Sequence, residues 1–198
     1  MKNFKEEFFK ILTLVQEETP FAFSRFSDGE VTVLKNERLV LAENYFIQGD
    51  VYGENAVQAP IPYMEEERKE FYPDRHPFYQ KKLVEAFRFR KHNYFKGIPG
   101  VNEWGSGSFH YCANLYGDGD IEHLTFSNAL INGNYDLFIK TMVPEFSDRD
   151  IVLVCNENST FDQLPFKVKK DFRIGSNCMI NDYGLIEEMK DYVDKNNI

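Results

Sequence analysis

The residues best suited to chemistry lie together near the amino terminus. They form the segment Arg25-Phe26-Ser27-Asp28-Gly29-Glu30. Carboxylates are hard oxygen ligands that suit Mg²⁺ or Mn²⁺, and Gly29 gives the backbone freedom for both acids to approach one side. Arg25 adds a potentially bidentate contact to phosphate or carboxylate. We therefore predict a metal and phosphate site in which Asp28 and Glu30 bind the ion, with Arg25, Ser27 and Gly29 contacting the ligand.

A simpler interpretation of the same segment stays open. Asp-Gly is an ordinary turn sequence, and Asp28 would then cap a helix over residues 30–36. Arg25 would serve as an ion-pair partner. The Asp-x-Glu spacing alone does not decide between the two interpretations.

The preceding residues predict how this segment is positioned. Residues 21–26 form a short aromatic-rich run between Pro20 and Ser27-Asp28-Gly29, which is typical of a buried strand that enters a turn. Ligands of open α/β sheets bind at the carboxyl ends of the strands. The predicted site therefore lies where such ligands bind.

The segment resembles the Arg-Phe-Gly-Asp-Gly-Glu motif of glycosyltransferases of the GT-D type, small bacterial and viral enzymes. The resemblance implies an α/β fold, namely one Rossmann-like domain with a mostly parallel sheet flanked by helices. It also implies a Mn²⁺-type ion at Asp28 and Glu30. The donor would be a nucleoside-diphosphate sugar, with a UDP-sugar favoured, and the hexose would pass to a glycan or glycoconjugate acceptor.

Three further comparisons with that family qualify the resemblance. A looser similarity runs from Asn132-Gly133-Asn134-Tyr135 to the strand and polar run at residues 151–158. Ser27 stands where the family has glycine, which matters if that position needs a positive φ. The family continues with a hydrophobic strand and a Gly-Pro turn, whereas this chain stops at Ile198. The expected organisation is a single domain over residues 1–198 that lacks C-terminal elements of the family.

A second polar group follows the most apolar run of the chain. Residues 151–155 predict a buried parallel strand, and Asn156, Glu157 and Asn158 come directly after it. Their side chains are placed to bind a nucleotide or sugar, with Glu157 as a ligand or base. A plain polar connecting loop is the alternative.

Composition limits the classes of function. The chain has 198 residues, a net charge of −9 and a pI near 5.0, which argue against nucleic-acid binding. An anionic donor would therefore need local positive charge, from the ion and Arg25 or from the basic residues of the 167–173 segment. Those basic residues are Lys167, Lys169, Lys170 and Arg173.

Cysteine usage and hydropathy predict the compartment. The three cysteines lack Cys-x-x-Cys spacing, which is unlike a zinc site or disulfide framework and suits a reducing cytosol. We find no signal peptide and no 18-residue apolar run in the sequence. The expectation is a cytoplasmic protein without a transmembrane segment, whose membrane contact would be peripheral.

Two other segments compete as sites. Asp118-Gly119-Asp120 is a rival acidic pair, although a surface turn is the favoured interpretation of it. The segment 104–110 combines Trp104 with glycines and serines, which predicts either a substrate loop or a core tryptophan followed by a glycine turn. His110 and His123 are possible bases without metal-ligand spacing.

Periodicity predicts the remaining elements. We expect helices over residues 3–18, 76–92, 135–143 and 182–194, with Asp182 as the cap of the last. Further strands are expected at residues 39–41 and 123–126, and a turn at residues 97–100. Leu185, Ile186, Met189 and Val193 would face the core.

Together the sequence predicts a metal-dependent glycosyltransferase. The alternative is a noncatalytic nucleotide- or carbohydrate-binding module, or part of a larger glycan-assembly enzyme. Metal-dependent phosphoester hydrolysis is less favoured because it normally needs more metal ligands than the sequence supplies.

Overall fold

The computed structural model describes residues 3–42, 45–49, 68–101, 106–117 and 121–196. The chain divides into two compact units. The first comprises residues 1–36 and 80–147, and the second comprises residues 37–79 and 148–198. Helices and strands are mixed in sequence and the parallel pairing expected of an α/β fold is present, so the predicted fold class is confirmed.

The elements follow one another in a mixed order. The strands are β1 (Ala22–Arg25), β2 (Arg38–Ala42), β3 (Tyr45–Gly49), β4 (Lys69–Phe71), β5 (Tyr94–Ile98), β6 (Leu124–Phe126), β7 (Ile151–Asn156) and β8 (Val168–Ile174). The helices are α1 (Phe4–Gln16), α2 (Asp28–Leu34), α3 (Pro77–Arg88), α4 (Ser106–Tyr116), α5 (Tyr135–Leu137), α6 (Cys178–Asn181) and α7 (Leu185–Asn196). After α5 the chain continues as a π-helical segment, Phe138–Met142, and a 3₁₀ segment, Val143–Phe146.

The first unit is built on a parallel sheet in the order β1-β5-β6. Arg25 pairs with Gly97, and Ile98 pairs with Phe126. Because all three strands run in the same direction, their carboxyl ends lie along one edge of the sheet. That edge is where the predicted Arg25–Glu30 segment emerges.

Helices supply apolar side chains to two core clusters of this unit. One cluster joins Ile98 and Leu124 of the sheet to Phe87 of α3 and Cys112 of α4. The other joins Phe8 and Ile11 of α1 to Phe23 of β1, which faces away from its strand neighbours Ser24 and Ala22. The sheet is thus held by apolar contacts from α1, which precedes its strands in sequence, and from α3 and α4, which lie between them.

The central strand β5 contradicts the turn predicted at residues 97–100. Gly97 and Ile98 belong to the strand, and all of residues 95–98 are buried. A Cβ at Gly97 would lie 2.8 Å from Phe23 Cζ and 3.0 Å from the Phe126 carbonyl oxygen. Glycine is therefore needed here for close packing across the sheet.

Lys96 explains why β5 does not look like a buried strand in sequence. Its side chain is fully buried in the middle of the strand. The Nζ group donates a hydrogen bond to the Phe89 carbonyl and lies 3.3 Å from the centroid of the Tyr94 ring. These contacts let a lysine occupy a position where an apolar residue is usual.

The second unit contains two smaller sheets. One is antiparallel in the order β3-β2-β4, and the other is the parallel pair β7-β8, with an irregular register at Ile151 and Val152. Its buried apolar side chains include Leu39, Val40, Phe71 and Phe172. The antiparallel sheet lies partly in a stretch for which the sequence predicted no regular structure.

Burial in the second unit departs from the sequence prediction. The strand at residues 151–155 is present and parallel, but none of β7 is buried and Val154 is 47% exposed. Helix α7 is also present, yet Ile186 and Val193 are exposed and none of its residues is buried. Apolar sequence thus predicted both elements correctly and their burial wrongly.

The other helices agree in part with expectation. The predicted helices over residues 3–18 and 76–92 are confirmed as α1 and α3. The loop predicted at residues 104–110 is wrong from Ser106 onward, because α4 begins there, while Trp104 lies outside the described residues. Asp182 does not cap α7; its Oδ2 accepts a hydrogen bond from the Gly175 N–H at 2.8 Å.

The described helices were compared with the requirements for a membrane span. In the described ranges no helix combines the length and the apolar character that a bilayer span requires. None of the three cysteines, Cys112, Cys155 and Cys178, forms a disulfide bond.

Candidate functional site

The site starts where β1 passes into α2. The Phe26 N–H donates to the Gly97 carbonyl at 2.7 Å, which extends the parallel ladder by one residue. Ser27 then caps the helix with φ −99° and ψ −155°. This is extended backbone that any residue adopts, so a serine in place of the family's glycine introduces no strain.

Polar contacts fix the junction. Arg25 Nη2 donates to Ser27 Oγ at 3.0 Å, and the Ser27 N–H donates to Glu30 Oε2 at 2.9 Å. The second bond belongs to a capping box, the Ser-x-x-Glu arrangement that stabilises a helix start. The helix cap is therefore Ser27, whereas the alternative interpretation of the sequence assigned that role to Asp28.

The two predicted metal ligands have different surroundings. Asp28 is the first residue of α2, and its carboxylate is exposed and forms no hydrogen bond or ion pair within the described ranges. Glu30 is exposed too, but its Oε2 accepts the hydrogen bond from the Ser27 N–H in the capping box. Residues two apart in a helix do not face each other. Asp28 is accordingly the more available carboxylate.

This donor set is compatible with a divalent cation that a substrate helps to bind. Mg²⁺-type ions are commonly held by one or two carboxylates plus substrate phosphates and water. Asp28 offers one free carboxylate for such an ion, and Glu30 keeps one oxygen outside the capping box. Among the described residues, no group of three or more His, Cys, Asp or Glu side chains is arranged to hold an ion.

A cavity opens beside Arg25 at the carboxyl edge of the β1-β5-β6 sheet. Its volume is about 180 Å³. Its lining residues are Phe23, Arg25, Ser127, Asn128, Leu130, Ile131 and Asn132. An apolar wall with a few polar groups is the usual character of a small-molecule site, and this volume is smaller than the roughly 300 Å³ at which ligand pockets usually begin.

Ser127 is a site residue that the sequence analysis missed. It follows β6, is 6% exposed and lines the cavity. Its N–H donates to the Ile98 carbonyl at 2.8 Å, while its hydroxyl forms no hydrogen bond within the described part of the chain. The signal was available, because Ser127 and Asn128 are polar residues directly after a strand.

The predicted residues Asn156, Glu157 and Asn158 lie in the second unit, where Asn156 is the last residue of β7 and the other two follow it. Asn156 Oδ1 accepts from the Asn158 N–H at 2.8 Å, which forms a local turn. The Glu157 N–H donates to the Ile174 carbonyl at 3.0 Å. The predicted site residues thus fall into two groups, one in each unit.

Arg173 of β8 holds this second loop. Its Nη1 lies 2.7 Å from the Ser159 carbonyl, 3.2 Å from that of Asn156 and 3.3 Å from that of Glu157. Its Nε donates to Asp171 at 2.5 Å. The Glu157 carboxylate is exposed and forms no such bond within the described ranges.

The basic residues of the 167–173 segment are partly neutralised. Lys169 pairs with Asp150 at 2.7 Å, and Arg173 pairs with Asp171. The Asp150 hydrogen bond and charge raise the pKa of Lys169 above its usual range. Two of the four basic residues are thus engaged with carboxylates, and Lys170 lies 4.9 Å from the Phe172 ring centroid.

The other candidate residues remain unassigned. His110 is exposed on α4, and His123 packs on Phe95 with ring centroids 6.2 Å apart. The rival acidic pair Asp118 and Asp120 lies outside the described residues.

Comparison of the chain with family models, with curated proteins and with solved structures finds no match. The site must therefore be interpreted from its own chemistry.

Proposed function

We propose that the protein is a metal-dependent glycosyltransferase that moves a sugar from a nucleoside-diphosphate-sugar donor, with a UDP-sugar favoured, to a glycan acceptor. One observation carries the proposal. Arg25 and the unpaired Asp28 carboxylate flank the junction of β1 and α2, and Arg25 also lines the cavity at the carboxyl edge of the sheet.

The protein residues have separable roles in this proposal. Arg25 is exposed and presents a planar guanidinium that suits a diphosphate. Phe23, Leu130 and Ile131 supply an apolar wall for a ring of the donor, and the Ser127 hydroxyl is free to donate to it. Positioning of donor and acceptor is a main source of rate in group transfer.

Asp28 and Glu30 would hold the divalent cation. Bound there, the cation would offset negative charge on the departing nucleoside diphosphate. Glu30 would contribute through the oxygen that the capping box leaves available. Three free cysteines agree with a cytoplasmic location, which is part of the same proposal.

The test is donor turnover in Asp28→Asn, measured as release of nucleoside diphosphate with Mn²⁺ present. We expect a loss of about 100-fold or more, as is usual when charge stabilisation in a transition state is removed. The thermal midpoint should hardly change, because the side chain is exposed. Asp136→Asn, an exposed acid of the same unit, is the matched control. An unchanged rate in Asp28→Asn would contradict the proposal.

A second candidate is a noncatalytic module that binds a nucleotide or carbohydrate. The engagement of Glu30 in the capping box favours it, because only Asp28 then has a wholly free carboxylate. This candidate predicts saturable binding of nucleoside diphosphate that depends on Arg25, without turnover of any donor. Binding and turnover measured on the same protein distinguish the two functions.

A further inference from the structure

Two arginines of the second unit converge on one tyrosine ring. The guanidinium carbon of Arg38 lies 5.3 Å from the centroid of the Tyr72 ring, and that of Arg75 lies 4.6 Å from it. Arg38 begins β2, and Tyr72 follows β4, which pairs with β2 through Leu39 and Phe71. The antiparallel sheet therefore brings these side chains together.

No carboxylate of the described residues compensates the positive charge of this cluster. Arg68 and Arg173 each pair with a carboxylate, whereas Arg38 and Arg75 form no ion pair in the part of the chain that the structure describes. Glu37 and Asp74, their neighbours in sequence, do not pair with them either. Two unpaired arginines are unexpected in a chain with a net charge of −9.

Unused hydrogen-bond donors accompany this charge. Arg38 Nε is buried and has no hydrogen-bond partner, which is costly for a charged group unless a ligand or water supplies an acceptor. The Tyr72 hydroxyl likewise forms no hydrogen bond within the described residues. Arg38, Tyr72 and Arg75 therefore carry side-chain hydrogen-bond donors that no described residue uses.

The backbone around Tyr72 is fixed. The Arg75 and His76 N–H groups donate to the Tyr72 carbonyl at 3.0 Å and 2.9 Å. The Tyr72 N–H donates to His76 Nδ1 at 3.1 Å. A neutral His76 then carries its proton on Nε2 and offers another donor. Such a turn presents Arg75 without the entropic cost of ordering a loop on binding.

We propose that Arg38, Tyr72 and Arg75 form a binding site for the phosphoryl group of a small molecule. A phosphate monoester carries a charge of about −1.5 to −2 at neutral pH, which matches two guanidinium groups. A single carboxylate would leave one of them uncompensated. The site belongs to the second unit and requires neither Asp28 nor a metal ion, so it goes beyond the glycosyltransferase proposal.

Calorimetric titration tests this site in a buffer that contains EDTA. The probes are inorganic phosphate, pyrophosphate and glucose 1-phosphate. We expect saturable binding to the unmodified chain and a loss of about tenfold or more in affinity in Arg38→Gln and in Arg75→Gln, since each removes a charge-assisted hydrogen bond. Arg38→Lys should bind the probes with intermediate affinity, because lysine keeps the positive charge but lacks the planar set of N–H donors of the guanidinium.

Lys167→Gln is the matched control, since it removes one exposed positive charge from the same unit. It should retain binding, as should Asp28→Asn. Circular dichroism of each variant shows that it is folded. Tighter binding of glucose 1-phosphate than of phosphate would assign the site to phosphorylated sugars, and equal affinity would assign it to the free phosphoryl group.

Three results would overturn the proposal. They are no saturable binding of any probe, equal losses in Lys167→Gln, Arg38→Gln and Arg75→Gln, and loss of binding in Arg25→Gln with retention in Arg38→Gln and Arg75→Gln. The last would place the phosphoryl group at the first unit instead. The glycosyltransferase proposal is tested by turnover and does not depend on this titration.

Discussion

The two parallel sheets end in polar loops of very different character. In the sheet β1-β5-β6, four residues of β5 and two of β6 are buried, whereas Arg25 at the end of β1 and Asp28 at the start of α2 are exposed. In the pair β7-β8 only Phe172 is buried, and the loop after β7 is tied internally through Arg173. Polar residues after a strand therefore have two distinct uses. In the first unit they are available to a ligand, and in the second many of them hold the loop itself.

The largest effect should come from adding one methyl group to the central strand of the first sheet. Gly97→Ala would place Cβ against Phe23 Cζ and the Phe126 carbonyl. Overpacking of this kind costs about 2 to 3 kcal/mol. Gly175→Ala is the matched control, because its Cβ would meet the nearest atom, Glu157 Oε1, only at 3.4 Å. Denaturant unfolding of both variants measures the difference, and equal losses would show that the first sheet is not the more tightly packed.

The same position shows what the sequence could and could not predict. An aromatic-rich run predicted β1, a continuous apolar run predicted β7, and helical periodicity predicted α1 and α3. Strand β5 was missed because Lys96 and Gly97 interrupt its apolar pattern. Both residues are explained only by tertiary contacts, with the Phe89 carbonyl in one case and with Phe23 in the other. Local sequence contains no signal for those contacts.

The candidate site was predictable in position and only partly in detail. The end of an apolar run before Ser27 and Asp28 located the junction of β1 and α2. The capping box was missed because Glu30 belongs both to the Ser27-x-x-Glu30 spacing of a helix cap and to the Asp28-x-Glu30 spacing of a metal motif. Ser127 joins the cavity from a strand about 100 residues further along the chain. Its proximity to Arg25 depends on the pairing of both strands with β5.

The next largest effect is on stability, where this interpretation predicts different contributions from Arg173 and Arg25. Arg173→Met should destabilise the protein by about 1 to 2 kcal/mol, because three loop carbonyls and Asp171 lose a donor. Arg25→Met should cost less than about 0.5 kcal/mol, since Arg25 is exposed and donates only to Ser27 among the described residues. Urea midpoints with unchanged slopes would measure both changes. A larger loss in Arg25→Met would mean that Arg25 is structural.

A buried lysine allows the interior of the first sheet to be tested by pH. Burial, with the charge of Arg90, lowers the pKa of Lys96 from 10.5 to about 8 in the folded protein. Between these values the unfolded chain binds the proton and the folded chain does not, so stability rises as pH increases from 8 to 10.5. Lys96→Met should remove that rise and increase the free energy of unfolding at pH 7 by about 1 kcal/mol.

The matched control for this pH profile is Lys169→Met in the second sheet. The pKa of Lys169 is raised by Asp150, so its contribution is lost only as pH rises through a value above its usual range. The rise between pH 8 and 10.5 should therefore persist in this variant. Thermal midpoints collected across that interval compare the two variants, and a rise that survives in Lys96→Met would show that another group causes it.

The smallest effect concerns reactivity without any change in stability. Cys112 is fully buried in the first unit, and desolvation raises the pKa of its thiol to about 12. Cys155 lies in β7 and Cys178 begins α6, and both are partly exposed. Because the thiolate is the reactive form, a disulfide reagent at pH 8 should label Cys155 and Cys178 first and leave Cys112 until the chain is denatured. Peptide mapping after timed labelling measures the order. Rapid labelling of Cys112 would show that the first unit opens as readily as the second, and the contrast between the two sheets would then be one of composition rather than of packing.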